Sequence, residues 1–185
     1  MASTATQREN DKYYTYEDWL ALADGNRYEL LNGKLYMMAS PSDRHQEILM
    51  EIAGQLWSFL KGKPCRVYPS PFDVRLNKNE DTVFQPDIIV VCDKSKISGK
   101  GCEGAPDIVI EILSPSTASY DCLIKYKEYQ RSGVKEYWIV DPDNKKVFVN
   151  ILKDGAYELR TCMEADTIAV QTLPECVIDL SLVFS

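Results

Sequence analysis

Two short hydrophobic segments in the middle of the chain each carry carboxylates where a buried strand is expected. The first spans 85–91 and contains Asp87, and the second spans 105–113 and contains Asp107 and Glu111. Both are rich in β-branched residues, and both have a proline near the start, where a strand needs no ladder donor. Burying an ionised carboxylate is expensive without a cation, a metal ion or several hydrogen-bond donors. These acids are therefore the first candidates for chemistry.

Strand geometry decides which of these acids can act together. Asp107 and Glu111 face the same way along one strand but stand about 13 Å apart, at roughly 3.3 Å per residue, so they cannot share a metal ion. Asp87 and Glu111 can share one if their strands are neighbours, because adjacent strands lie only about 4.8 Å apart. Paired carboxylates suit Mg²⁺ or Mn²⁺, which keep several waters and accept phosphate oxygens. We expect metal-activated water to attack a phosphodiester, and Asp107 to stabilise a turn.

The composition is that of an ordinary globular protein, with 45% hydrophobic and 26% charged residues among 185. No apolar run approaches a membrane span and the first residues lack the apolar part of a secretory signal, so we expect a cytoplasmic protein with no membrane partner. We expect residues 1–12 to be a disordered tail and residues 13–185 to form a single domain. The net charge of −7 argues against a nucleic-acid coat protein, although the segment 61–100 is more basic than the rest.

Six cysteines and one histidine are spread along the chain without a CxxC pair. This pattern argues against a zinc site of the Cys/His type, and we expect reduced, mostly buried thiols. We expect no organic cofactor.

Local signals predict the order of helices and strands. Thr15 is expected to cap a short helix, and Asn32 and Gly33 are expected to form the two-residue turn of a hairpin. A long helix is expected over 44–61, and its inward face includes the only histidine, His45. The remaining predictions are strands over 65–76, 85–91 and 105–113, a helix over 119–131, a strand over 134–140, a hairpin over 146–159 and a strand-like tail over 173–184. The chain therefore predicts an α+β or α/β domain with hairpins at both ends.

These segments together resemble the Uma-type restriction endonuclease family, a branch of the PD-(D/E)XK nuclease superfamily. The resemblance covers nearly the whole chain from about Tyr13, and it is carried by 28–34, His45, 85–87, 105–117, Asp121, Lys125, Tyr129 and 133–141. It implies a restriction-endonuclease-like αβββαβ core, made of the long helix, three strands, the second helix and the strand over 134–140. It also implies that Asp87 and Glu111 bind the metal ion, and it suggests a homodimer.

One position departs from the superfamily pattern, which has a lysine two residues after the glutamate. That position is Leu113 here. Lys125 is the nearest substitute because its long side chain could reach back to the site; the alternative is an i, i+4 ion pair with Asp121, worth about a few tenths of a kcal/mol. Glu29 is a candidate third carboxylate. His45 is a candidate phosphate contact or supporting group, and its alternative is a hydrogen-bonded core histidine.

The sequence therefore predicts a Mg²⁺- or Mn²⁺-dependent endonuclease that hydrolyses DNA, with Asp87 and Glu111 as metal ligands and Lys125 assisting charge neutralisation. The alternative is a catalytically degenerate nuclease-fold module for binding or regulation, which Leu113 and the acidic net charge favour. A serine hydrolase is disfavoured because the chain lacks a GxSxG-like elbow.

Overall fold

The computed structural model describes residues 12–99, 101–114 and 124–185. Within them the helices are α1 (Tyr16–Leu20), α2 (Asp43–Leu60), α3 (Tyr126–Ser132) and α4 (Leu180–Val183). The strands are β1 (Tyr28–Leu31), β2 (Lys34–Met37), β3 (Arg66–Pro69), β4 (Val74–Arg75), β5 (Ile88–Val91), β6 (Ile97–Ser98), β7 (Gly101–Glu103), β8 (Ile108–Ile112), β9 (Glu136–Asp141), β10 (Lys146–Lys153), β11 (Ala156–Met163), β12 (Thr167–Ala169) and β13 (Val177–Asp179).

The largest sheet has six strands in the order β11-β10-β9-β8-β5-β3. Strands β3, β5 and β8 are antiparallel neighbours, whereas β8 and β9 run parallel. A parallel pair needs a crossover connection, and α3 lies in the connection between β8 and β9. Helix α2, these four strands and α3 form the expected αβββαβ core. The mixed α/β fold predicted from the sequence is confirmed, with the β1–β2 hairpin before the core and β10–β11 extending the sheet after it.

Both faces of the central strands are covered, which explains their continuous hydrophobic runs. The inward residues of α2 pack with Ile88 and Ile110 on one face of the sheet. Alternate residues of the same strands, such as Ile89 and Val109, pack on the other face in a second cluster that includes Tyr129. Successive strand residues point to opposite faces, so Asp107 and Glu111, each two positions from Val109, face this second cluster.

The N-terminal elements follow their predicted signals. Thr15 and Asp18 form a capping box at the start of α1. The backbone φ angles of Asn32 (47°) and Gly33 (76°) are both positive, as the two-residue type I′ turn between β1 and β2 requires. The hairpin is attached to the core because Leu30 and Val83 exchange two backbone hydrogen bonds of 2.9 and 2.7 Å. This attachment carries Glu29 towards the segment that leads into β5.

Helix α2 begins one residue earlier than predicted, with Ser42 as its N-cap, and its predicted inward face is buried. The second predicted helix overlaps 115–123, which lies outside the described residues, and its described part ends as expected at Gly133, whose φ is 84°. The predicted tail over 1–12 also falls almost entirely outside the described residues. In the described ranges, no helix has the length and apolarity that crossing a membrane requires.

The predicted strand over 173–184 is wrong in its second half. Val177–Asp179 pairs with β12, but Leu180–Val183 is helical. The side chain of Asp179 accepts a hydrogen bond of 2.9 Å from the backbone N–H of Ser181, which caps the helix start. A short apolar run cannot distinguish a strand from a buried helical turn, and the cap decides the outcome here.

The expectation that all cysteines are reduced is also wrong, because Cys65 and Cys92 form a disulfide. The register of β3 and β5 pairs Arg66 with Val91, so the next cross-strand pair brings these two cysteines face to face. This pairing depends on long-range register, which the cysteine spacing does not reveal. Cys102, Cys162 and Cys176 are buried free thiols, as expected.

Candidate active site

Two acids predicted to act together lie on neighbouring strands. Strands β5 and β8 pair Ile88 with Ile110, and the same antiparallel register continued by one residue places Asp87 opposite Glu111. The backbone N–H of Ile112 donates a hydrogen bond of 2.8 Å to Asp87 Oδ2. The condition for the two acids to share an ion, that their strands are neighbours, is thus met, and the side chain of Asp87 is held against the strand that carries Glu111.

Glu111 is held by two donors from the helical segment that follows β8. Its Oε1 lies 2.9 Å from Lys125 Nζ and 2.8 Å from the hydroxyl of Tyr129. Lys125 precedes α3 directly and Tyr129 lies one turn further on, so an i, i+4 spacing points both side chains at one carboxylate. Glu111 and Lys125 are only 3% and 4% exposed.

Glu29 completes this buried ion cluster from the N-terminal hairpin. Its Oε1 lies 2.9 Å from Lys125 Nζ and accepts a hydrogen bond of 2.9 Å from the backbone N–H of Gln85. Leu113, which occupies the position of the superfamily lysine, is partly buried and packs against the second apolar cluster. An ammonium group therefore reaches Glu111 from the segment that leads into α3 and not from position 113. The alternative partner of Lys125, Asp121, lies outside the described residues.

His45 reaches Asp87 from the first turn of α2. Its Nε2 lies 3.2 Å from Asp87 Oδ2, and the two side chains are 10% and 16% exposed. The backbone N–H of His45 donates to Ser42 Oγ at 3.2 Å, so the helix cap holds the backbone from which the imidazole extends. The histidine therefore contacts a predicted site carboxylate from within the buried face of α2.

Asp107 lies apart from this group, as the strand geometry predicted. Its Oδ2 accepts a hydrogen bond of 2.7 Å from the backbone N–H of Cys92, and its Oδ1 lies 2.7 Å from Lys135 Nζ. These contacts fasten the end of β5 to the start of β8. Asp107 is buried and its charge is compensated by Lys135. This ion pair accounts for a buried carboxylate here, so no role in the site is needed to explain it.

Sequence reasoning missed Tyr129 as a member of the site. It included Tyr129 only among the residues that carry the family resemblance, whereas the structure brings both Tyr129 and Lys125 to Glu111. Burial, and next the negative charge of Glu111, raise the pKa of Tyr129 well above its ordinary value. The hydroxyl therefore keeps its proton and remains a donor. The i, i+4 spacing from Lys125 is the signal that would have found it.

The donor set fits a hard divalent cation. Mg²⁺ is usually held by one or two carboxylates together with waters and phosphate oxygens, and Asp87 and Glu111 supply such a pair. Among the residues that the structure describes, no group of three or more His, Cys, Asp or Glu side chains is arranged to hold a metal. These residues therefore do not form a metal site built from protein ligands alone, which structural zinc requires.

The formal charges of the site also favour a dication. Asp87, Glu29 and Glu111 bring three negative charges, and Lys125 brings one positive charge. These four groups carry a formal charge of −2. Buried charge is costly without compensation, so a divalent cation matches the balance of these groups.

Comparison with known proteins identifies the family. The family model described as "Uma2: Putative restriction endonuclease" matches residues 12–181. The chain belongs to this family. The resemblance found in the sequence is confirmed by a match that includes every predicted site residue.

A solved structure shares the Uma2 fold seen here. It is described as "a putative nuclease belonging to DUF820" from Anabaena variabilis ATCC 29413, and it superposes with a TM-score of 0.75 at 22% identity. The match covers 92% of this chain and 97% of that chain. The nuclease-like fold predicted from the sequence is confirmed by this likeness.

A protein of Synechocystis sp. (strain ATCC 27184 / PCC 6803 / Kazusa), described as "Uncharacterized protein slr1290", is 25% identical over 122 residues. The match covers 65% of this chain and 64% of that protein, so the chain spans slightly less than two thirds of this relative.

Proposed function

We propose that the chain is a Mg²⁺- or Mn²⁺-dependent endonuclease that hydrolyses phosphodiester bonds in DNA. The observation that carries the proposal is the convergence on Glu111 of an ammonium from Lys125 and a hydroxyl from Tyr129, on a strand whose register sets Glu111 opposite Asp87. Membership of a family described as restriction endonucleases supports the same chemistry.

Asp87 and Glu111 would hold the cation. When bound, a divalent cation at such carboxylates supplies Lewis-acid polarisation and a water nucleophile at neutral pH. Asp87 is oriented for this role from two sides, by the backbone N–H of Ile112 and by His45 Nε2. Glu111 is oriented by Lys125 and Tyr129. Because four separate groups contact the two carboxylates, each carboxylate is held in a defined orientation before a cation binds.

Lys125 contributes positive charge in a site that is largely shielded from water. Its ammonium lies between two glutamates, and at 4% exposure it is screened much less than a surface lysine. Charge that develops on a phosphate in the transition state is stabilised by fixed positive groups of this kind. In this proposal Lys125 does the work of the lysine that Leu113 replaces.

The competing candidate is a nuclease-fold module that binds DNA or regulates a partner without turnover. Leu113 favours it, because the apolar side chain packs into the second cluster and supplies no charge. The two candidates differ in one measurable respect, since a module without turnover leaves bound DNA intact in the presence of Mg²⁺.

Cleavage of supercoiled plasmid DNA by the purified chain, with Mg²⁺, Mn²⁺ or EDTA, tests the proposal. We expect Asp87→Asn and Glu111→Gln to lower cleavage by about 10²- to 10³-fold or more. Asp141→Asn, at the carboxyl end of β9, is the matched control and is expected to cleave like the wild type. Circular dichroism and thermal unfolding establish that each variant is folded.

Calorimetric titration with Mn²⁺ gives a second, independent measurement. The wild type and Asp141→Asn are expected to bind the ion, and the two site variants are expected to bind it more weakly. Plasmid cleavage that persists in both folded amide variants would exclude Asp87 and Glu111 as the catalytic pair. Mn²⁺ binding without any cleavage would favour the module.

We also propose that the chain is a homodimer, as its resemblance to the family suggests. Sedimentation equilibrium of the purified chain is expected to give twice the mass of one chain. A mass equal to one chain across the concentration range would refute the dimer and leave the assignment of the site unaffected.

A further inference from the structure

A cleft of about 430 Å³ opens beside the candidate active site. Its walls include Pro71, Phe72, Asp73, Gln85, Ser98 and Gly101. Gln85 lies two residues before Asp87 in the chain. The lining residue Pro71 is also close to Asp87, because the backbone N–H of its neighbour Ser70 donates a hydrogen bond of 2.8 Å to the Asp87 carbonyl. The cleft therefore adjoins the segment that carries Asp87, and its lining residues are not among the predicted metal ligands.

Gln85 links the cleft to Glu29, because its backbone contacts Glu29 and its side chain contacts Asp73. Its backbone N–H donates to Glu29 Oε1 at 2.9 Å. Its side-chain amide donates to Asp73 Oδ1 at 2.7 Å and accepts from the guanidinium of Arg27 at 2.7 and 3.0 Å. The amide is therefore held in one orientation, and it holds Asp73 in turn.

The backbone beneath Asp73 admits only glycine. Gly101 has a φ of 134°, and a Cβ at this position would clash with the carbonyl oxygen of Asp73. The backbone N–H of Cys102 donates to the same carbonyl at 2.8 Å. These contacts fix the backbone of Asp73 at the cleft wall, and the bond from Gln85 holds its carboxylate.

The cleft presents an aromatic side chain and a carboxylate to a ligand. Phe72 supplies an aromatic surface and is itself stacked on Tyr68, with ring centroids 4.6 Å apart and planes 18° apart. The carboxylate of Asp73 disfavours phosphate. It retains acceptor capacity after the bond from Gln85, because a carboxylate can accept about four hydrogen bonds. Burial raises the pKa of Asp73, which indicates a partly desolvated site.

We propose that this cleft takes one unstacked nucleobase of a DNA strand, with Phe72 as the stacking surface and Asp73 accepting a hydrogen bond from an exocyclic amino group. Cytosine, adenine and guanine carry such a group in their pairing edge, whereas thymine does not. The inference rests on the proposed nuclease function and deepens it, since a base held beside Gln85 places the neighbouring part of its strand next to Asp87.

Binding of fluorescent 12-nucleotide single strands of dC, dA or dT to the full chain, measured by anisotropy in EDTA at low salt, tests the inference. The wild type is expected to bind dC and dA more tightly than dT. Phe72→Leu, which keeps most of the apolar volume, is expected to weaken binding of every strand by about fivefold or more because a stacking surface is lost. Asp73→Ala is expected to abolish the preference over dT. Trp57→Ala removes an exposed aromatic side chain on α2 and is expected to change nothing.

Equal binding of the three strands by the wild type, or wild-type affinity in Phe72→Leu, would overturn the inference. Displacement of the 12-mer by free dCMP at an equal concentration would overturn it as well, because the cleft would then be a site for free nucleotides. The measurement needs no metal and no turnover. If DNA is cleaved in Mg²⁺ while no strand is bound through the cleft, the inference fails and the proposed function stands. If the strands bind as expected and no DNA is cleaved, the inference stands and the proposed function fails.

Discussion

Lys125 Nζ lies 2.9 Å from Glu111 Oε1, and both side chains are almost completely buried. The lysine comes from the segment that leads into α3, whereas the superfamily pattern places its lysine two residues after the glutamate, on the same strand. An ammonium group can therefore reach this carboxylate from a different element of the fold. The contact with Glu29 means that the same lysine also compensates a second buried acid.

Replacing Lys125 by methionine is expected to destabilise the fold. The change leaves Glu29 and Glu111 without their shared cation, and breaking a buried ion pair in this way costs about 3–5 kcal/mol. The free energy of unfolding from urea titration measures the effect. Lys145→Met is the matched control, because its partner Glu164 is 44% exposed and such surface pairs contribute about 0–1 kcal/mol. Equal losses in the two variants would contradict the buried cluster.

Replacing Tyr129 by phenylalanine removes one donor to Glu111 and is expected to cost about 1–3 kcal/mol of stability at neutral pH. The folded-state pKa of Tyr129 is raised above the ordinary value of 10.0, first by burial and then by Glu111. The hydroxyl's contribution is therefore fully present below pH 10 and is lost as the pH rises further, because the unfolded chain then ionises first.

The difference in stability between the wild type and Tyr129→Phe is thus expected to be constant from pH 7 to 9 and to shrink above pH 10, by about 1.4 kcal/mol per pH unit. Urea titrations at stepped pH values measure it. A difference that widens above pH 10 would mean that the hydroxyl ionises more readily in the folded protein than in the unfolded chain.

Replacing Asp107 by asparagine is expected to affect stability, whereas the same replacement of Asp87 is expected to affect Mn²⁺ binding. Asp107→Asn weakens the pair with Lys135 and is expected to cost about 1–3 kcal/mol of stability while leaving Mn²⁺ binding intact. Asp87→Asn is expected to lower Mn²⁺ affinity. Calorimetric titration and urea unfolding of both variants give the comparison, and loss of Mn²⁺ binding in folded Asp107→Asn would return this acid to the site.

The bond between Cys65 and Cys92 predicts a response to reductant. The denatured, unreduced chain is expected to expose two fewer reactive thiols than the reduced chain, as counted with a chromogenic disulfide reagent. Reduction is expected to lower the free energy of unfolding by about 2–4 kcal/mol, because the bridge constrains the unfolded chain. The double variant Cys65→Ala/Cys92→Ala should not respond to reductant, and an identical thiol count before and after reduction would exclude the bond.

The sequence predicted the parts of the fold that depend on local pattern. The apolar runs at 88–91 and 108–112 indicated the two central strands, and the spacing of Ile48, Ile52 and Leu56 indicated the buried face of α2. Strand spacing alone also separated Asp107 from the pair formed by Asp87 and Glu111. These conclusions needed only the geometry of single elements and of adjacent strands.

The features that were missed depend on contacts between distant segments. The disulfide follows from the register of β3 against β5, which neither segment specifies by itself. Tyr129 could equally have been a core aromatic, and only its position over Glu111 shows that its hydroxyl has a partner there. The helical end of the chain depended on whether Asp179 would cap the backbone N–H of Ser181.

The residues around Glu111 and Asp87 are contributed by separate parts of the chain: the first hairpin, the start of α2, two sheet strands and the segment entering α3. A slip of one residue between β5 and β8 would turn one acid to the opposite face of the sheet. No partly folded intermediate that lacks one of these elements can therefore assemble the complete cluster. The cation site proposed above would therefore be complete only after the last of these elements has docked, and a chain that has not finished folding would lack it.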